Sequence, residues 1–225
     1  MQYLGWSRYC PLCESYFSHF CTFSVAPCTP RADAQCPNCR SLERDRLAWI
    51  FLKRNIKTWD RILKPLLHIA PEPIFFDKFR QRLGTKHITA DLYQTNVDIR
   101  MDITQIQFPD GYFGAIYCSH VFEHVSNDKL AMREFKRVLA PEGWALLCVP
   151  ITADKTFEDL TISDPQERIR LFGQDDHIRR YGSDLKDRLE QAGFAVEPIA
   201  PQDFLTTAQI MKMGLGAANG LFLCR

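Results

Sequence analysis

Two groups of side chains in this sequence carry chemistry. The first is a set of thiols, Cys10-Pro-Leu-Cys13 and Cys36-Pro-Asn-Cys39. Paired CxxC turns separated by a loop supply four thiolates, and four thiolates at about 2.3 Å close a tetrahedral zinc site. A closed site keeps no position for water, so the zinc expected on Cys10, Cys13, Cys36 and Cys39 is structural. His19, Cys21 and Cys28 in the intervening loop read as packing or loop residues. The second group is a row of polar residues that close apolar runs: His68 to Glu72 at the end of Leu66–Ile69, and Asp91 at the end of a second strand. An apolar strand, a tight turn, a helix, and an acid about 20 residues later form the pattern by which open α/β sheets hold a ribose-bearing cofactor. Here Ala70, Pro71 and Glu72 stand where glycines usually make that turn.

The elements that position these groups are spread along the whole chain. Ser41 reads as the N-cap of a helix to about Asn55 whose second half is apolar nearly all round. Such a helix is buried, and it is expected between the cysteine module and the main domain. Arg40, Arg44, Arg46, Lys53, Arg54, Lys57, Arg61 and Lys64 make this region locally basic and read as a solvated face. Strands are expected at Leu66–Ile69, His87–Ala90, Phe113–Cys118 and Trp144–Ile151. Helices are expected at Pro73–Leu83 and from Asn127 or Asp128 to Leu139, the second stopped by Pro141-Glu-Gly143. Strands alternating with helices make a doubly wound parallel sheet. Periodicity is lost from Thr152 to Tyr181, and a long irregular stretch at that place reads as a lid. A helix capped by Ser183, then strands at Phe194–Ile199 and Leu221–Cys224 as an antiparallel pair, close the chain. The domain reading is a zinc-ribbon-like module at 1–40, a connecting helix at 41–60 and a main domain at 61–225.

Composition excludes several classes. With 225 residues and a net charge of +1, no global field draws the chain to nucleic acid or to a membrane surface. No apolar run approaches the roughly 20 residues of a membrane span. The first residues lack the apolar stretch of a secretion signal, so the expected setting is a reducing cytoplasm, where nine cysteines serve metal or buried thiols rather than disulfides.

Asp91, the Met101-Asp102-Ile103 step, Phe113 to His124 and Phe135 to Pro150 together resemble the class I S-adenosylmethionine-dependent methyltransferases, specifically the methyltransferase type 11 group. The resemblance covers roughly residues 62–225. With its cysteine knuckle, the whole chain looks like a subset of that group. It implies a Rossmann-like seven-stranded sheet with S-adenosylmethionine as cofactor. His68, Ala70, Pro71 and Glu72 would then lie along the methionine part, Glu72 as partner of its ammonium or as the start of the helix. Asp91, with Leu92 after it, would hold the ribose hydroxyls. Asp102 and the Ile103 backbone would face adenine, and Ser119 and His120 would sit near the sulfonium. His120 and His177 are the catalytic candidates, as bases, with Glu123 as an orienting carboxylate. His124 reads as packing, and Asp176, Arg179 and Tyr181 join His177 on the substrate side. The expected acceptor is a small molecule or sugar, methylated at oxygen. An RNA or protein acceptor docked through the knuckle, and a degenerate fold serving as an interaction module, are the competing readings.

Overall fold

The computed structural model describes residues 3–24, 29–55 and 64–225. It divides into two compact units: residues 1–59 with 199–219, and residues 60–198 with 220–225. The boundary expected at residues 60 and 61 lies outside the described residues, as do Cys28, Lys57 and Arg61.

The first unit opens with two antiparallel hairpins, β1 (Arg8–Cys10) with β2 (Ser15–Phe17), and β3 (Cys21–Phe23) with β4 (Arg31–Gln35). Helix α1 (Glu43–Arg54) comes next. Its cap is not Ser41: the Asp45 carboxylate accepts the Leu42 amide at 2.8 Å, while the Ser41 hydroxyl is buried against the sulfurs of Cys10 and Cys39. Nor is Arg46 part of a solvated face. It is fully buried, donating to the carbonyls of Ser41, Ala34, Met213 and Gly214 at 2.7–3.0 Å with its guanidinium over the Phe20 ring. Four oriented carbonyls replace the water a buried cation gives up. Phe204 packs edge-on against Phe51 and lies under the Arg54 guanidinium, which brings residues 199–219 against the end of α1.

The second unit is a seven-stranded sheet. Strand β5 (Leu66–Ile69) is buried at every position and leads into α2 (Pro73–Leu83), which Pro73 opens and Gly84 ends. Strands β6 (His87–Asp91) and β7 (Ile99–Arg100) pair outward from β5, all parallel. The chain then returns to the other side of β5 for β8 (Phe113–Ser119), again parallel. Asn127 caps α3 (Asp128–Val138), accepting the Leu130 amide at 3.0 Å. Ala131, Met132, Phe135 and Val138 bury one face of that helix. Strand β9 (Leu139–Cys148) begins five residues before the expected Trp144, because Pro141-Glu-Gly143 is accommodated as a bulge: Phe113 pairs with Leu139, and Ala115 with Trp144.

The segment after β9 is not irregular. Strands β10 (Ile151–Ala153), β11 (Phe157–Glu158) and β12 (Arg179–Gly182) make a small sheet in the order β10-β12-β11, with helix α4 (Pro165–Phe172) between its last two strands. Strands this short carry too little periodicity to be read from sequence. Helix α5 (Leu185–Gln191) starts after Asp184, since the Ser183 hydroxyl donates instead to the Asp154 carbonyl. Strands β13 (Val196–Ile199) and β14 (Leu221–Cys224) complete the large sheet, ordered β13-β14-β9-β8-β5-β6-β7, with β14 antiparallel to β9. Ala195 and Arg225 exchange both backbone hydrogen bonds, as expected of an antiparallel pair.

Candidate active site

The strand order reverses between β5 and β8, and open α/β sheets bind ligands beyond the carboxyl ends of the strands at such a point. Along that edge the register brings the polar row together. Ile69 is level with Ala90 and Cys118, Asp91 with Arg100, and Ser119 with Cys148. Ala70–Glu72, Asp91–Leu92, Asp102–Ile103 and Ser119–His120 therefore end four adjacent strands on one side of the sheet.

Both residues at the reversal are bent into the left-handed region. Ala70 has φ +46° after β5, and His120 has φ +53° after β8. The Ala70 amide donates to Ala90 at 2.8 Å and the His120 amide to Cys148 at 2.8 Å, so a neighbouring strand fixes each bend. Strained backbone of this kind concentrates at functional sites. Ala70 thus takes the conformation a glycine would normally supply. The His68 ring is fully buried among Phe79, Tyr117 and His87 and cannot itself line the edge. Its Nε2 lies 3.0 Å from the Glu72 carboxylate and its Nδ1 3.2 Å from His87 Nε2. His68 acts there by holding Glu72, which is partly exposed at the mouth of the turn.

Asp91 is nearly buried. Its Oδ1 accepts the amides of Tyr93 and Gln94 at 2.6 and 2.8 Å, while among the described residues Oδ2 has only the Gln94 side chain at 3.3 Å. Asp102 is exposed; its Oδ1 is tied to the amide and hydroxyl of Thr104, each at 2.8 Å. The Ile103 side chain is core, which leaves its backbone for the edge, and Leu92 is exposed beside Asp91. In both acids one oxygen sets the loop and the other faces fewer partners.

Beyond β8 the loop carries His120, Glu123 and His124. Glu123 is 1% exposed, and neither carboxylate oxygen has a hydrogen-bond partner among the described residues. His120 Nδ1 lies 3.1 Å from its Oε1, off hydrogen-bond geometry. Burial pushes the Glu123 carboxyl up, but the His120 imidazole, then the residue's own backbone amide and the His124 imidazole, outweigh it and hold the group below the usual range. His177 is buried too. Its Nδ1 lies 3.2 Å from the Phe172 carbonyl and its ring meets His124 edge-on at 4.7 Å. Burial lowers its pKa, so the ring favours the neutral form. Asp176 lies 3.2 Å from His124 Nδ1, and the Ile178 amide donates to the Glu123 carbonyl. Arg179 and Tyr181, expected on the substrate side, are instead buried supports. Arg179 donates to the carbonyls of Phe122, Val125 and Ser126, and the Tyr181 hydroxyl donates to Asp128 at 2.7 Å. Sequence reasoning missed this role, because the four-residue strand that buries Arg179 and Tyr181 about the exposed Arg180 is too short to show a period.

The model of the methyltransferase domain family matches residues 69–199, more than half of the chain. The chain belongs to the methyltransferase domain family. It is an S-adenosylmethionine-dependent methyltransferase. No curated protein matches the sequence. Among solved structures, the CurJ carbon methyltransferase shares 15% identity with a TM-score of 0.56, covering 82% of this chain and 55% of that one. A chain of the complex between the Haloferax volcanii Trm112 methyltransferase activator and a methyltransferase shares 12% identity with a TM-score of 0.50, covering 80% and 92%. At such identities the likeness is one of fold. No helix among the methyltransferase's described residues is long and apolar enough to cross a membrane.

The cysteines of this methyltransferase sit in its first unit. The sulfurs of Cys10, Cys13, Cys36 and Cys39 all lie within 4.8 Å of one another, with Cys10–Cys39 at 3.5 Å and Cys13–Cys36 at 3.7 Å. Sulfurs about 2.3 Å from one tetrahedral ion stand about 3.8 Å apart, so this donor set fits zinc. Glu14 and Arg40, each after the second cysteine of its pair, have φ +54° and +64°, so both knuckles turn the same way. His19 and Cys21 are not in this cluster.

Proposed function

We propose that the enzyme transfers the methyl group of S-adenosylmethionine to an oxygen of a small polar acceptor, a sugar or another hydroxyl-bearing molecule. The observation that carries this reading is the imidazole and carboxylate set after β8, on the side where the sulfonium would lie. Glu72 would pair with the cofactor's ammonium, Asp91 Oδ2 would take the ribose hydroxyls, Asp102 and the Ile103 backbone would face adenine, and Ser119 and His120 would flank the sulfonium. The acceptor oxygen would form its bond to carbon as the carbon–sulfur bond breaks, with the electron pair left on sulfur and the hydroxyl proton passed to His120. Alignment of the two reactants supplies about 7–11 kcal/mol of such a barrier, and a placed base a further ~10²–10⁴-fold. His177, buried with Nδ1 at the Phe172 carbonyl, would position rather than take the proton. Cys10, Cys13, Cys36 and Cys39 would hold a structural zinc in a module that begins the first unit.

The enzyme incubated with methyl-labelled S-adenosylmethionine and a cell extract tests the acceptor class. Label in the small-molecule fraction, reduced ~10²-fold or more by His120→Asn, is expected. Label confined to RNA or protein would overturn the reading. Asp91→Ala should weaken S-adenosylhomocysteine binding in calorimetry by about 1.5–3 kcal/mol, the scale of a charge-assisted hydrogen bond.

A further inference from the structure

We infer that Glu123, His124 and His177 form a second metal site, for one divalent first-row cation, on the acceptor side of the methyl-transfer centre. One carboxylate oxygen of Glu123 and one ring nitrogen from each histidine lie within 4.8 Å of one another. Ligand atoms held about 2.0–2.2 Å from a common ion sit about 3–4 Å apart, so modest side-chain rotation closes the set. Two imidazoles and one carboxylate on one side of an ion are a recurrent donor set that leaves further positions open.

Three independent features point to a cation. First, Glu123 is buried with both oxygens lacking a hydrogen bond. His120 Nδ1, 3.1 Å from Oε1, offsets that burial only while its ring is protonated, and a bound cation would offset it whatever the ring's protonation. Second, the rings are set up as ligands. The Phe172 carbonyl can only accept, so His177 Nδ1 at 3.2 Å is the donor and Nε2 keeps the lone pair. His124 Nδ1 faces the Asp176 carboxylate at 3.2 Å, which fixes that ring in the same way. Metal-bound histidines are held by such outer hydrogen bonds to carbonyls and carboxylates. Third, the two halves of the site are tied together by backbone and buried side chains. The Ile178 amide donates to the Glu123 carbonyl, and Arg179 binds the carbonyls of Phe122, Val125 and Ser126 on either side of Glu123 and His124. A pre-organised pair of segments is what a metal site needs.

This inference rests on the proposed placement of the methyl-transfer centre and deepens it. The open positions of the ion would take the acceptor's oxygens. A divalent ion there polarises a hydroxyl and lowers its pKa, which favours an acceptor presenting one or more hydroxyls to hard or borderline metal. His120, 3.1 Å from Glu123, would then stand near that oxygen to receive the proton.

Manganese is the probe, because a thiolate site disfavours it while an oxygen and imidazole site accepts it. The full-length enzyme, freed of loosely held metal by a mild chelator, is titrated with Mn²⁺ and the free ion is followed by electron paramagnetic resonance. One Mn²⁺ per chain is expected to bind, with affinity reduced 10-fold or more in Glu123→Gln and in His177→Gln. His124→Ala, at a more exposed position, is the variant least exposed to folding failure and should show the same loss with an unchanged thermal melt. No binding of Mn²⁺ by wild type, or binding undiminished in the folded His124→Ala protein, would overturn the site. S-adenosylhomocysteine calorimetry on the same samples keeps the two readings apart: its failure alone removes the cofactor placement, and Mn²⁺ binding stands without it.

Discussion

Ala70 holds a left-handed backbone, where an L-residue with a Cβ costs about 1–2 kcal/mol. The cost is met by the Ala90 hydrogen bond and by Pro71, which limits the course of the chain after it. Ala70→Gly relieves the strain but adds freedom to the unfolded chain, so urea unfolding should show no loss and a gain of up to about 1 kcal/mol. A clear loss would mean that the alanine methyl is a packing group. His87 gives a pH signature. It is buried, and burial, then His68 and Arg80, hold its pKa down to about 3, with only Asp98 opposing them; Phe76 and Phe79 supply the apolar wall. The unfolded chain takes this proton near pH 6.5 and the folded chain refuses it until about pH 3. Stability from this group is therefore complete above about pH 6.5 and is lost as pH falls toward 3, by up to about 2 kcal/mol between pH 7 and 5. Urea midpoints for wild type and His87→Phe at both values check it: the wild-type decline should be steeper, and equal declines would exclude His87 as its source.

At the scale of elements, the turn into β14 is fixed by one position. Gly220 has φ +70°, and a Cβ there would stand 1.7 Å from the Val149 carbonyl oxygen, which is part of the close approach that pairs β14 with β9. Gly220→Ala should cost about 3 kcal/mol or more, through both the backbone angle and the collision, and a Tm within a degree or two of wild type would show that the strand end can shift. The same elements show how far the sequence could be read. Strand β5 and helix α2 match the expected bounds Leu66–Ile69 and Pro73–Leu83, because a fully buried run, a proline start and a glycine stop are local signals. The acid that ends β6, Asp91, was legible for the same reason, since spacing along the chain reports position at a sheet edge, whereas Asp102 was singled out by the family resemblance. The small sheet after β9 was not legible. Its strands are two to four residues long, and Arg179 and Tyr181 owe their burial to Asp128 and to the loop after β8, some 50 residues away. The burial of Glu123 is likewise a property of packing and leaves no trace in spacing.

At the scale of the whole molecule, the first unit draws on two distant stretches of chain. Residues 199–219 interrupt the path from β13 to β14 and fold with residues 1–59. Arg46 is the physical link, joining Ala34 and Ser41 to Met213 and Gly214 through four carbonyls. So small a unit has little core, and metal binding in such modules is folding energy. Ser41, which begins the path into α1, packs its hydroxyl on Cys10 and Cys39, so the cysteine cluster is coupled to Arg46 through one residue. Loss of the zinc proposed for this cluster should therefore release both stretches together. Hydrogen exchange before and after zinc removal by a strong chelator measures this. Amides of α1 and of the helix Thr207–Lys212 should lose protection in parallel, while β5 and β8, in the unit built on its own core, keep theirs. Cys36→Ser should do the same without chelator, and Arg46→Lys, which replaces a planar fork with a point charge, should weaken the same two stretches with zinc still bound. Protection that persists in Thr207–Lys212 after α1 has opened would show that residues 199–219 fold without the cysteine module, and that Arg46 is not the tie between them.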